Sequence, residues 1–397
     1  MKKVMTSLVF FLLITAGLGL EGCKRSSVKP SDSLITVDVT KTDYPKKDLI
    51  LQDFMDVEYI PLETNDEFVN QGFVQAIGGK FILVKNRNDD GNIFVYDRTG
   101  KALRKINHKG QGGEEYLFIL GIALDEDNNE MFINDHIGRR IQVYDLDGKY
   151  KRTLKDKEDK DGGSLFYTDI FNYNKDNLIC YDKYNKKIPF VLVSKQDGSI
   201  TKEIKIPFKE KKDAIAVRSD EASGMTYSVS PGPYRTITPF KDDWLLLELS
   251  SDTVYRFSSD YSLHPFIVRT PSINSMNPEV FLILRLLSDR YYFMETIKNI
   301  YDWNTKDGFS KTFMMYDKQE KAICNYTVYN GDFSTKKEMY MSMTRPVNQE
   351  IESWYPLESF KLVEAYKNGE LKGKLKEIAA TLDAESNPVI MLIKHKK

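Results

Sequence analysis

The sequence predicts an all-β protein: a six-bladed β-propeller closed by strands from the two chain ends, with short helical insertions near 277–287 and 357–380. Three observations carry this expectation. A β-hairpin is written twice, as Ile93-Phe94-Val95-Tyr96-Asp97-Arg98-Thr99-Gly100-Lys101 and as Ile141-Gln142-Val143-Tyr144-Asp145-Leu146-Asp147-Gly148-Lys149. In each copy an apolar run meets a polar turn ending in Gly-Lys, then a run alternating apolar and charged residues. Glycine supplies the positive φ that such tight turns need. The turn glycines Gly100, Gly148 and Gly198 recur at spacings of 48 and 50 residues, a blade's length of chain. Finally, 23 Tyr and 22 Phe in 397 residues favour strands, where aromatic side chains pack well.

In chain order, residues 1–22 read as a signal peptide. Lys2 and Lys3 precede Val4 to Leu20, apolar but short for a membrane span. The ending Leu20-Glu21-Gly22-Cys23 resembles a bacterial lipobox, which implies acylation of Cys23. Residues 23–33, rich in serine, form a flexible tether. The propeller then occupies 34–397. Two strands near its start, within 34–39 and 57–63, have no hairpin partner nearby and are expected to pair with the lone C-terminal strand Asn387 to Ile393. Pairing the two ends closes the ring and removes exposed edges.

Between the ends, strand-like runs fall into five units. The first spans 73–106, the second 119–154 and the third 170–198. A weaker fourth covers 236–268, and a fifth has three strands between 290 and 328. Asn277-Pro278-Glu279 resembles a helix start, with proline at the first helical position, and predicts a short helix to about Leu287. Helical spacing returns over 357–366 and 370–380, with Gly369 as a C-cap.

Several of these words resemble the six-bladed β-propeller lipoproteins of gut-dwelling Gram-negative bacteria, related in shape to NHL-like and TolB-like propellers. They are Val57-Glu58-Tyr59-Ile60-Pro61-Leu62-Glu63-Thr64, the two Tyr-Asp…Gly-Lys hairpins, Gly110-Gln111-Gly112-Gly113-Glu114-Glu115-Tyr116 and Asn387-Pro388-Val389. The resemblance implies the fold and export to the outer membrane, and it transfers no catalytic residue. No acidic run follows Cys23, where Lys24-Arg25-Ser26-Ser27 stands; by the same resemblance this favours the periplasmic side.

Chemistry is sparse. The net charge of −1 offers no basic excess for nucleic acid. Gly110 to Tyr116 lacks the Lys-Ser/Thr of a phosphate-binding loop and reads as a connection between blades. Were it at the channel mouth, His108, Gln111 and Glu115 become binding candidates. His136, Arg139 and Arg140, in a loop ahead of the second hairpin, join them, with plain solvated charge as the alternative for the arginines. Asp125 to Glu130 is rich in oxygens, but Glu130 and His136 stand where a calcium loop needs Gly and Glu. Four histidines show no zinc spacing, and no Gly-x-Ser-x-Gly occurs. Cys180 and Cys324 read as buried thiols, although spacing leaves a disulfide open. Trp244, Trp303 and Trp354 suit either core packing or sugar stacking. The reading reached is a lipid-anchored binding or scaffold module for an envelope protein or glycan, with no cofactor, no metal and no catalytic residue assigned. A propeller lyase or hydrolase with a metal in its channel is the alternative.

Overall fold

The computed structural model describes residues 34–155, 166–221, 223–343, 345 and 347–396. The signal peptide, the tether and Cys23 lie outside the described residues. Blades 1 to 3 are plain four-stranded antiparallel sheets. Blade 1 holds Phe73–Ile77, Phe81–Lys85, Asn92–Asp97 and Ala102–Asn107 from the channel outward. Blade 2 holds Ile119–Asp125, Glu130–Asp135, Arg140–Asp145 and Tyr150–Lys155. Blade 3 holds Tyr167–Asn172, Asn177–Asp182, Phe190–Ser194 and Ile200–Ile204.

Position in the sheet explains composition. The second strands of blades 2 and 3 are buried at every residue, because neighbouring blades cover both faces, so their centres, Met131–Ile133 and Leu178–Tyr181, run apolar instead of alternating. The outermost Ala102–Asn107 meets solvent on one face and alternates. The repeated hairpins form as their residues dictate. Asp97 accepts from the Thr99 and Lys101 amides at 2.8 and 3.1 Å, and Asp145 from those of Asp147 and Lys149 at 3.0 and 2.8 Å. Gly100 and Gly148 take φ of 89° and 91°. A Cβ on Gly100 would collide with the Pro61 carbonyl of the preceding blade.

Blade 4 comprises Ile237–Phe240, Asp243–Leu246, Thr253–Phe257 and Leu263–Thr270, and blade 5 comprises Val280–Leu287, Tyr291–Lys298, Lys311–Asp317 and Ala322–Tyr329. The helix expected over 277–287 is therefore a correction: Val280–Leu287 is the innermost strand of blade 5. Its eight residues are apolar except Arg285, and seven are buried. A run covered on both faces shows no polar side by which periodicity tells helix from strand.

Blade 6 closes the ring with Ile351–Leu357, Val389–Lys394 and Asp56–Pro61. Pro61 sits on an edge strand, where a missing amide is tolerated. The first N-terminal strand does not share in this closure as expected. Ile35–Asp38 instead adds in parallel to the outside of blade 4, and Lys46–Ile50 adds in parallel to blade 5. The two C-terminal helices, Ser359–Lys367 and Gly373–Ala379, fill the excursion within blade 6, with Gly369 at φ 71° between them. A hairpin, Ala216–Asp220 and Met225–Val229, stands apart between blades 3 and 4. Cys180 and Cys324 are buried and not joined in a disulfide.

Candidate functional site

The innermost strands of blades 1 to 3 border a channel cavity of about 350 Å³, walled by Phe73–Gly78, Leu120–Asp127, Thr168–Asn172, Arg235 and Val347–Gln349. A wider depression of about 560 Å³ lies between Pro61–Thr64, Thr99–Lys101 and Thr381–Ser386. Apart from Pro61 at a strand end, turn and loop residues line it, with no buried charge, so the channel is the stronger candidate. Amide side chains tie its wall from blade to blade. Asn134 Nδ2 donates to Tyr167 O at 2.7 Å, Asn172 Nδ2 to Leu124 O at 3.1 Å and Asn348 Nδ2 to Ile77 O at 2.9 Å.

Two kinds of segment rim the mouth where the innermost strands begin: the loops entering each blade and the loops between its second and third strands. All six candidate binding residues sit on this rim, at blade 2. Four of them are engaged in holding it together or are packed into it. His108 Nε2 donates to Gly148 O at 2.7 Å, and its ring stacks on Tyr144 at 5.0 Å. The Glu115 carboxylate caps the Gly112 amide at 2.7 Å inside its own loop. Arg140 pairs with buried Asp135 at 3.1 Å and donates to Glu115 O at 2.8 Å. His136 packs edge-on to Phe166 at 4.2 Å, and burial pushes its imidazole below the usual value, with Asp135 opposing. Gln111 and Arg139 are exposed, Arg139 at φ 49°.

The acidic run 125–130 is consumed structurally. Asp125 pairs with buried Lys195 at 2.5 Å, Glu126 accepts the Gly79 and Phe81 amides of blade 1 at 2.8 Å each, and Glu130 receives Arg152 at 2.7 Å. Among the described residues no three His, Cys, Asp or Glu side chains converge as a metal site. Trp244 and Trp354 are buried, and Trp303 leans edge-on against Tyr301.

Other residues, spread along the sequence, shape the mouth. An aromatic arc runs from Phe118 through His136 and Phe166 to Tyr184, with neighbouring rings 6.1, 4.2 and 5.0 Å apart. It ends at Tyr184, 63% exposed, and Ile137, next in the chain to His136, is 61% exposed. A group of cations begins at the Phe118 end of the arc. Lys85 Nζ donates to Ile119 O at 2.8 Å between the rings of Phe73 and Phe118, and burial lowers its ammonium's pKa. The Arg345 guanidinium stacks 4.5 Å from the Phe73 ring centre and 5.2 Å from that of Trp354. Arg235 pairs with buried Asp169 at 2.8 Å. Their shared signal was position alone, just before an innermost strand or just after a second strand.

A family model described as a domain of unknown function, DUF4934, matches residues 34–394. Among solved structures, a "Putative exported protein" of Bacteroides fragilis NCTC 9343 is 15% identical with a TM-score of 0.60, covering 92% of this chain and 100% of its own. A member of the DUF4221 family from Bacteroides vulgatus is 11% identical with a TM-score of 0.41, over 86% of this chain and 97% of its own. Virginiamycin B lyase from Staphylococcus aureus is 12% identical with a TM-score of 0.37, over 86% of this chain and 99% of its own. The first likeness supports the fold, and the other two carry no argument about activity. No curated protein matches the sequence.

Proposed function

This chain belongs to the DUF4934 family, and on that premise we propose that it is an exported binding module of the cell envelope. It is anchored through a lipid on Cys23 to the outer membrane, on its periplasmic side, and uses the channel mouth to hold a glycan partner. The observation that carries the reading is the aromatic arc from Phe118 to Tyr184, mounted on loops over a rigid ring and ending in exposed Tyr184. The rings lie 58°, 70° and 66° from one another and so hold each other in place, and exposed Tyr184 offers its flat apolar face at low entropic cost, which suits the apolar faces of sugars. An envelope protein is the other partner class considered, and nothing in the mouth favours it. The lipid anchor rests on Leu20-Glu21-Gly22-Cys23. Among the described residues no helix is long and apolar enough to cross a membrane.

Two measurements test this. Cell fractionation should find wild type in the outer membrane and a Cys23→Ala variant released from it; retention of the variant sinks the anchor. Envelope polysaccharide fractions titrated against the purified domain should bind, and Tyr184→Ala should weaken binding about fivefold. Equal binding by Tyr184→Ala would remove the arc from the site.

A further inference from the structure

The chain is close to neutral overall, yet four cations gather at one side of the channel mouth: Lys85, Arg87, Arg235 and Arg345. They come from three blades. Lys85 and Arg87 end the second strand of blade 1 and open its following loop. Arg235 precedes blade 4, and Arg345 precedes blade 6. Their placement is held from below. Arg285 Nη1 donates to Pro233 O at 3.1 Å and Lys311 Nζ to Pro231 O at 3.0 Å, fixing the short segment that ends in Arg235. The Arg345 amide donates to Ser353 Oγ at 2.5 Å.

These cations are not neutralised alike. Asp169 answers Arg235, also accepting from Thr236 Oγ1 at 2.8 Å. Lys85 is spent on a carbonyl. Arg345 and Arg87 have no carboxylate within ion-pair distance among the described residues. Asp90 is committed to Asn86 and Asn92 and Asp89 to Lys109, while Glu358 and Arg87 both lie near Tyr355 without forming an ion pair. Burial, with Arg235 and Arg87 adding repulsion, lowers the Arg345 guanidinium to about 10, so it stays charged at neutral pH. Desolvating a cation beside two others is costly unless an anion meets it. Two aromatic faces under Arg345 offset part of that cost and hold the planar fork in place, leaving its donors for a ligand.

We infer that this mouth carries a subsite for the acidic group of a ligand, an oxyanion held by Arg345 and Arg87 with Arg235 alongside. The inference rests on the binding-module reading and names its ligand class: a glycan bearing carboxylate. A free oxyanion shares the chemistry and is the second source tested. The acidic group takes the arginine side of the mouth while neutral sugar faces lie along the aromatic arc.

The probes are an oligogalacturonate, its fully methyl-esterified form and inorganic phosphate, titrated into the 34–397 domain by calorimetry at two salt concentrations. The acid form should bind at least about tenfold more tightly than the ester, with a preference that shrinks in high salt. Arg345→Gln and Arg87→Gln should each remove most of that preference. Arg87 is exposed on a loop, so its variant remains informative should Arg345→Gln fail to fold. Competition by phosphate would make the oxyanion sufficient by itself; its failure would tie recognition to the sugar acid. Equal binding of acid and ester overturns the inference and leaves the module reading intact. Phosphate binding lost in Arg87→Gln, without retention of any glycan, keeps the subsite and sinks the module. A folded wild-type domain that binds neither acid nor phosphate, or variants that keep the full preference, also overturn the inference.

Discussion

The seam between blades 1 and 2 and the seam between blades 6 and 1 do the same job with different materials. In both, the tyrosine of the Tyr-Asp hairpin reaches back to the strand of chain that enters its blade, and the turn glycine presses against the preceding blade. At the first seam Tyr144 donates to Glu114 O, His108 to Gly148 O, and Gly148 packs on Ile106. All these groups lie within one repeat of each other in sequence. At the closing seam Tyr96 accepts from Asn70 Nδ2 at 2.6 Å, and Glu63 N donates to Gly100 O at 2.8 Å. There Asn387 ties both chain ends together. Its Nδ2 donates to Glu63 O and Phe68 O at 2.8 and 2.6 Å, its Oδ1 accepts from the Asn70 amide at 2.8 Å, and its own amide donates to Thr64 Oγ1 at 2.7 Å. These partners are more than 300 residues away. One side chain does across the chain ends what a continuous loop does elsewhere, so closure is concentrated where the other seam is distributed.

That contrast orders the expected losses. Leu392, fully buried on the closing strand between blades 6 and 1, should cost about 3–4 kcal/mol as Leu392→Ala in denaturant unfolding. A loss below about 1 kcal/mol would mean that the seam collapses around the cavity and is not the weak point. Asn387→Ala leaves buried carbonyls and an amide without partners and should cost about 2–3 kcal/mol. The matched change at the ordinary seam, Gly148→Ala, forces a positive φ and sets a methyl about 3.1 Å from Ile106, costing about 1–2 kcal/mol. His108→Ala removes one hydrogen bond and a ring stack, for about 1 kcal/mol. Finding His108→Ala more damaging than Asn387→Ala would reverse the comparison.

The smallest effect is one of pH, and it too belongs to blade 6. Buried Glu352 accepts from the Leu287 amide of blade 5 at 2.7 Å, and its other oxygen lies 3.3 Å from His395 Nε2, outside good hydrogen-bonding angles. Burial pushes Glu352 up, against the pull of His395, and Glu352 in turn raises the imidazole. Both groups hold protons more tightly folded than unfolded. The imidazole's contribution is therefore complete below the ordinary histidine value of 6.5 and is lost as pH rises through its folded value, whereas that of Glu352 is complete only below the ordinary glutamate value of 4.5 and fades as pH rises through its own raised value. Glu352→Gln should flatten that decline in unfolding free energy by about 1 kcal/mol or less. An unchanged slope would separate this pair from the stability of the seam.

Blade 2 was legible because its signals are local: alternation, a turn glycine with positive φ, and an aspartate capping its own turn within four residues. Cys180 and Cys324 were likewise readable as buried thiols, whereas Trp244 and Trp354 were open between core packing and sugar stacking until the fold buried them. The innermost strand of blade 5 was not, since Val280–Leu287 carries no periodicity once both faces are covered. Nor were Ile35–Asp38 and Lys46–Ile50, whose parallel partners lie over 200 residues away. At the mouth, blade 2 gave up its rim residues because a glycine-rich word flagged one loop and the repeated hairpin flagged the loop ahead of it. Arg235 and Arg345 carried no such flag, being single arginines in irregular stretches.

The residues alone determined a ring of hairpin sheets and the pairing of Asp56–Pro61 with the C-terminal strand, because turn chemistry and strand alternation act over a few neighbours. Tertiary structure alone decided which outer blades receive the remaining N-terminal strands and which cations meet at the channel mouth. Those outcomes depend on distances between blades, and the energy of bringing charges or edges together is set by geometry that no short stretch of sequence encodes.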